Sequence, residues 1–207
     1  MNKGMAVLVA AALFFGVASD VQAQAFGIRG GANFSNFSGD AADDLNAETR
    51  TGLVGGVFLN LNPAGFWSIQ PEALFSQMGA ESGEDNEISL NYIQVPVLAR
   101  VNFAGMAGGV RPHFLIGPAV AFNLGCDIVD EGEDFDCEDA DLDVKSFEFA
   151  AVFGAGVGLP VGGGEFTVDG RLYQGLTNVF DSEDDDGDLK NESWQVLAGF
   201  TFPFGRY

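Results

Sequence analysis

The chain has 207 residues, 47% of them hydrophobic, which suits one domain with a buried body. Nine basic residues against 30 acidic ones give a formal charge of −21. That balance excludes a nucleic-acid binder, which needs a basic footprint, and a polybasic grip on anionic lipid.

Met1-Asn2-Lys3 supplies a positive start, and Met5 to Val17 is apolar. The run is too short to cross a bilayer as a helix. Small residues follow in VQAQA, Val21 to Ala25. The segment reads as a secretory signal peptide over 1–23, cut after Ala23 or Ala25, with 24–207 as one domain. No later stretch offers ~18 unbroken apolar residues, so no transmembrane helix is expected.

Beyond the signal the pattern has period two. Eight stretches carry it, near 25–37, 51–61, 66–78, 88–103, 112–124, 146–159, 166–177 and 193–204. In the first, Phe26, Ile28, Gly30, Ala32 and Phe34 share one face, and Gly27, Arg29, Gly31, Asn33 and Ser35 the other. In the third, Trp67, Ile69, Pro71, Ala73 and Phe75 oppose Ser68, Gln70, Glu72, Leu74 and Ser76. In the fourth, Ile93, Val95, Val97, Ala99, Val101 and Phe103 oppose Tyr92, Gln94, Pro96, Leu98, Arg100 and Asn102, and Pro96 calls for a local bulge. In the last, Trp194, Val196, Ala198, Phe200, Phe202 and Phe204 oppose Ser193, Gln195, Leu197, Gly199 and Thr201. Successive strand side chains point to opposite sides, so each run has an oily face and a wetter one.

The connections alternate. Asn62–Gly65, Ala104–Arg111 and Pro160–Glu165 are compact; those near 38–50, 79–87, 125–145 and 178–192 are longer and hold 25 of the 30 acids. The bulky faces are too many to fill a small barrel from within, and glycines such as Gly27, Gly31, Gly154 and Gly156 fall on the narrow side. The expected fold is an all-β, eight-stranded, up-and-down transmembrane barrel, apolar outside, with short periplasmic turns and long acidic outer loops. Lipid demands closure, because an open edge would leave backbone groups unpaired in hydrocarbon.

GIRGGANFSNF, SIQPEALFSQMG, LNYIQVPVLARVNF, FEFAAVFGAGVGLP and DGRLYQGLTNVF together resemble the small porin-like outer-membrane β-barrels of bacteria. These include OmpA- and OmpX-like eight-stranded barrels and the PorT-like family common in Bacteroidetes and related phyla. The resemblance implies the bacterial outer membrane, with its lipid and lipopolysaccharide, and the barrel assembly machinery as partners. It implies little about activity. Such chains usually end on an aromatic residue in phase with the last strand; here Tyr207 is out of phase, so either the strand bulges near Pro203 or Phe204 serves instead.

The inward face collects Arg29, Glu72, Arg100, Glu148, Asp169 and Arg171, three of each sign, joined by Gln70, Tyr92, His113 and Tyr173. Charges in a narrow dry column must pair, so a plugged, salt-bridged interior is expected ahead of a charge-lined ion path. His113, the only histidine, reads as a side chain flanking a compact turn, and no catalytic residue is assigned. Cys126 and Cys137, in the longest acidic loop, are expected to form a disulfide after export. Asp181 to Ser193 fails as a calcium loop, because alignment of Gly187 puts serines at its first and last positions. No metal site or cofactor is assigned; loose divalent-cation binding by the acidic loops is the remaining ionic expectation. Phe66, Trp67, Phe166, Phe180 and Trp194 suit two interfacial aromatic belts. Function is therefore expected to be structural or surface-interacting and non-enzymatic, with a narrow porin as the alternative.

Overall fold

The computed structural model of the chain describes residues 24–39, 48–82, 86–103, 105, 109–130, 133–136, 144–179 and 189–204. The strands are β1 (Gln24–Ser38), β2 (Glu48–Leu61), β3 (Trp67–Ser82), β4 (Asn86–Asn102), β5 (Arg111–Asp130), β6 (Glu133–Asp136), β7 (Phe147–Val161), β8 (Gly164–Gly175) and β9 (Lys190–Phe204). Each long strand pairs antiparallel with its neighbours in the order β4-β3-β2-β1-β9-β8-β7-β5, and β4 pairs β5 to close the ring. The result is an eight-stranded closed barrel, with β6 attached only to the far end of β5.

Alternation sets the walls. Ile28, Leu53, Trp67, Val97, Phe114, Phe153, Trp194 and Phe202 are exposed on the outside. Arg29, Gln70, Glu72, Gln94, Arg100, Asp169 and Arg171 are buried inside. Such a wall is stable only against hydrocarbon, where the exposed apolar side chains replace the buried core of a soluble protein. Phe66, Trp67, Phe166 and Trp194 are all exposed, as an interfacial belt requires; Phe180 lies outside the described residues.

Three expectations need correction. The connection near 79–87 is not a long loop: Glu81 pairs with Glu87 and Ser82 with Asn86, so β3 and β4 run on into a tight hairpin. Likewise β5 continues through Cys126 to Asp130 and folds back as β6, so Cys126 sits in a strand. In both places the strands outrun the apolar pattern, because their ends need no oily face. Pro96 also makes no bulge. The pairings Pro71–Val97 and Leu74–Gln94 keep one register across it, and the β4–β5 irregularity lies at Asn91/Tyr92. Near the chain's end, Phe202, Pro203 and Phe204 pair in unbroken register with Phe26, Ala25 and Gln24, so Pro203 carries no bulge either; Tyr207 lies outside the described residues.

The compact ends have local causes. Between β7 and β8, Val161 pairs with Gly164 around Gly162 and Gly163, whose φ values of 58° and 86° suit glycine in a two-residue hairpin. Between β2 and β3, the Gly65 amide donates to the Asn62 carbonyl at 3.0 Å.

Candidate functional site: the barrel interior

Two polar groups occupy the lumen. The first lies toward the compact turns. Arg171 on β8 donates Nη1 to Glu72 Oε2 at 2.8 Å and Nη2 to Oε1 at 3.1 Å, a two-pronged pair across the barrel. Arg29 on β1 reaches both Glu72 (3.1 Å) and Asp169 (3.0 Å), and its guanidinium lies 4.0 Å over the Phe58 ring. Gln70 donates to Glu72 at 2.7 Å.

His113 belongs to this group, on the inward face where its parity put it, and is more than a side chain beside a turn. It is buried, its Nε2 stands 2.7 Å from Asp169 Oδ1, and its Nδ1 stands 3.2 Å from Arg100 Nη2. A guanidinium only donates, so Nδ1 accepts and Nε2 carries the proton given to Asp169. Both ring nitrogens are therefore occupied. Arg100 finds its carboxylate in Glu165 at 2.9 Å, a residue that the sequence reading left in a compact turn. Arg111, half exposed, touches the same carboxylate from 3.5 Å.

Glycine makes the room. A Cβ at Gly156 would collide with Asp169 Oδ1 and His113 Nε2, and one at Gly154 would meet the Arg171 Cγ at 2.9 Å. A Cβ at Gly27 would enter the Phe58 ring that supports Arg29.

The second group lies toward the long loops. Tyr173 donates to Glu148 Oε1 at 2.6 Å, and Asn191 donates to Glu148 Oε2 at 2.7 Å and to the Tyr92 hydroxyl at 3.2 Å. Among the described residues Glu148 makes no ion pair. The six expected charges thus do not form one balanced set. Glu148 stands apart, and Glu165 takes the place assigned to it.

Apolar side chains share the inward face with these polar groups. Leu74, Leu98 and Leu197 stand there as their parity predicts, and Val54, Leu115 and Val152 join them, all buried. Val54, Leu74 and Leu197 pack together on one side; Leu98, Leu115, Val152 and Tyr173 join a larger cluster with Leu90 and Met78. Their inward parity was visible in the sequence; their division into two clusters follows from the stagger between strands.

Cys126 is buried on β5, and no free cysteine occurs among the described residues. Cys137, and most of the acidic segment 181–193, lie outside them. No group of metal-binding side chains occurs among the described residues.

A closed barrel with an oily wall and an ionic interior defines an integral outer-membrane protein. Residues 21–181 match the model of the outer membrane protein beta-barrel domain, and the chain belongs to that family. Its place is the bacterial outer membrane, in contact with that membrane's lipid and lipopolysaccharide. No curated protein matches the sequence. Among solved structures, the chain is similar to Neisserial surface protein A (NspA), at 10% identity and TM-score 0.54, over 87% of this chain and 99% of that one. It is also similar to the outer membrane protein OprG from Pseudomonas aeruginosa, at 14% identity and TM-score 0.52, over 90% and 100%. At these identities the likeness concerns the fold.

Proposed function

We propose that the protein is a sealed barrel whose interior is structural and whose long-loop end carries its interactions with the surroundings. The filled interior, paired charges packed among buried apolar side chains, is the observation that carries this reading. Charges already paired with one another offer no free carrier for a permeating ion. The lumen charges Arg29, Glu72, Arg100, Asp169 and Arg171, with His113, then serve to clamp strands β1, β3, β4, β5 and β8 together. Both His113 nitrogens are committed to that clamp, which supports a non-enzymatic role.

In the same reading, residues 1–23 are a cleaved signal, the compact turns face the periplasm, and the acidic loops face outward. Cys126 and Cys137 form a disulfide that staples the longest loop. The loops hold divalent cations loosely, and Phe204 is the aromatic presented to the assembly machinery. A narrow solute channel is the second reading. It draws on buried donors without partners, Arg29 Nε, Arg100 Nε and Arg171 Nε, which favour water among the charges.

Planar-bilayer recording of the purified barrel separates the two. The sealed reading expects no steady steps from the unaltered protein. Reproducible, salt-dependent single-channel steps would overturn it and establish the channel.

A further inference from the structure

Below the charged group, the compact-turn end of the lumen opens into a cavity of about 450 Å³. Pro63, Pro160 and Pro203 form apolar walls, and Asn60, Thr201, Arg111 and Glu165 supply the polar lining. Two of these side chains have unmet hydrogen-bonding capacity. Asn60 and Thr201 are 2% and 5% exposed, both face inward, and Asn60 Oδ1 and Thr201 Oγ1 have no hydrogen-bond partner. Buried polar atoms are rarely left so, and both residues line the cavity.

The charges add a sign. Glu165 is committed to Arg100 at 2.9 Å, while Arg111 reaches it only at 3.5 Å. Two guanidiniums thus share one carboxylate, and Arg111 keeps donors to spare. A guanidinium with free donors selects a planar carboxylate, and the prolines beside it select an apolar body. We propose that this cavity binds a small molecule bearing a carboxylate on an apolar group, such as a peptide C-terminus or a short organic acid. Arg111 takes the carboxylate, Thr201 donates its hydroxyl hydrogen to the ligand, and Asn60 Oδ1 accepts a ligand N–H or O–H.

The test uses the whole barrel in detergent micelles, with amide signals of Gly162 and Gly163 at the rim as the readout. N-acetyl-alanyl-alanine, its C-terminal amide and butyrate are titrated separately. The dipeptide acid is expected to shift those signals saturably, and the amide is not. Arg111→Gln is expected to weaken binding about tenfold, the loss of one charge-assisted contact. Thr201→Val is expected to weaken it about threefold, the loss of one neutral hydrogen bond. Butyrate binding as tightly as the dipeptide would identify the organic-acid source; much weaker butyrate binding would identify the peptide end. Equal binding of acid and amide, unchanged affinity in Arg111→Gln, or no saturation by either acid would overturn the proposal. Should Arg111→Gln lose its folded gel mobility, the acid–amide contrast on the unaltered protein decides.

Discussion

The two polar groups of the lumen solve the same problem in different ways. Near the compact turns, Glu72 and Asp169 are each held by two arginines, and every cation in the group has a carboxylate within reach. Near the long loops, Glu148 is held by a phenol and an amide alone. Removing one member of the first group strands a charge; removing the Glu148 carboxylate strands none. A buried ion pair is therefore costly to break even where it adds little net stability, and the lumen should respond unequally to similar substitutions at its two ends.

Glu72→Gln breaks the comparison hardest. It leaves Arg29 and Arg171 facing Asp169 alone, and it should cost about 3–5 kcal/mol of unfolding free energy. Urea titration in detergent, read by the heat-modifiable shift on gels, checks this; a loss near zero would mean that water already screens the cluster. Gly156→Ala comes next. Its methyl group displaces the Asp169–His113 contact, and overpacking of this kind should cost about 1–3 kcal/mol in the same assay.

Glu148→Gln keeps the shape and removes only a charge without a cationic partner. Its expected effect is about 1 kcal/mol or less, the scale of one altered hydrogen bond. A loss as large as that of Glu72→Gln would show that the two ends are energetically alike. Arg111→Gln sets the lower bound. Its side chain is 49% exposed and its one ion pair is long, so the stability change should be about 0.5 kcal/mol or less.

Much of this architecture was legible because lipid imposes a strict rule. Within the hydrocarbon every second residue must be apolar, and the eight barrel strands follow that alternation from Phe26 to Phe202. The rule lapses beyond the membrane. There Glu81, Glu87 and Asp127 still sit in strands, although nothing in their pattern distinguishes them from loop residues. The interior was legible by side and not by level. Parity placed Glu148 and Arg171 inward, but the stagger between strands decides which inward residues meet, and it set Glu148 beside Tyr173 and Asn191. Glu165 was left in a turn because it lies one residue inside a strand end, where turn and strand chemistry overlap.

The seam between β1 and β9 joins Gln24 to Phe204, the first described strand to the last. Every barrel strand from β1 to β9 must therefore be in place before the ring can shut. Until then both margins of the growing sheet offer unsatisfied amides and carbonyls to any passing chain. No N-terminal fragment lacking β9 can make a complete cylinder. The docking of β9 against β1 therefore determines when the cylinder is complete.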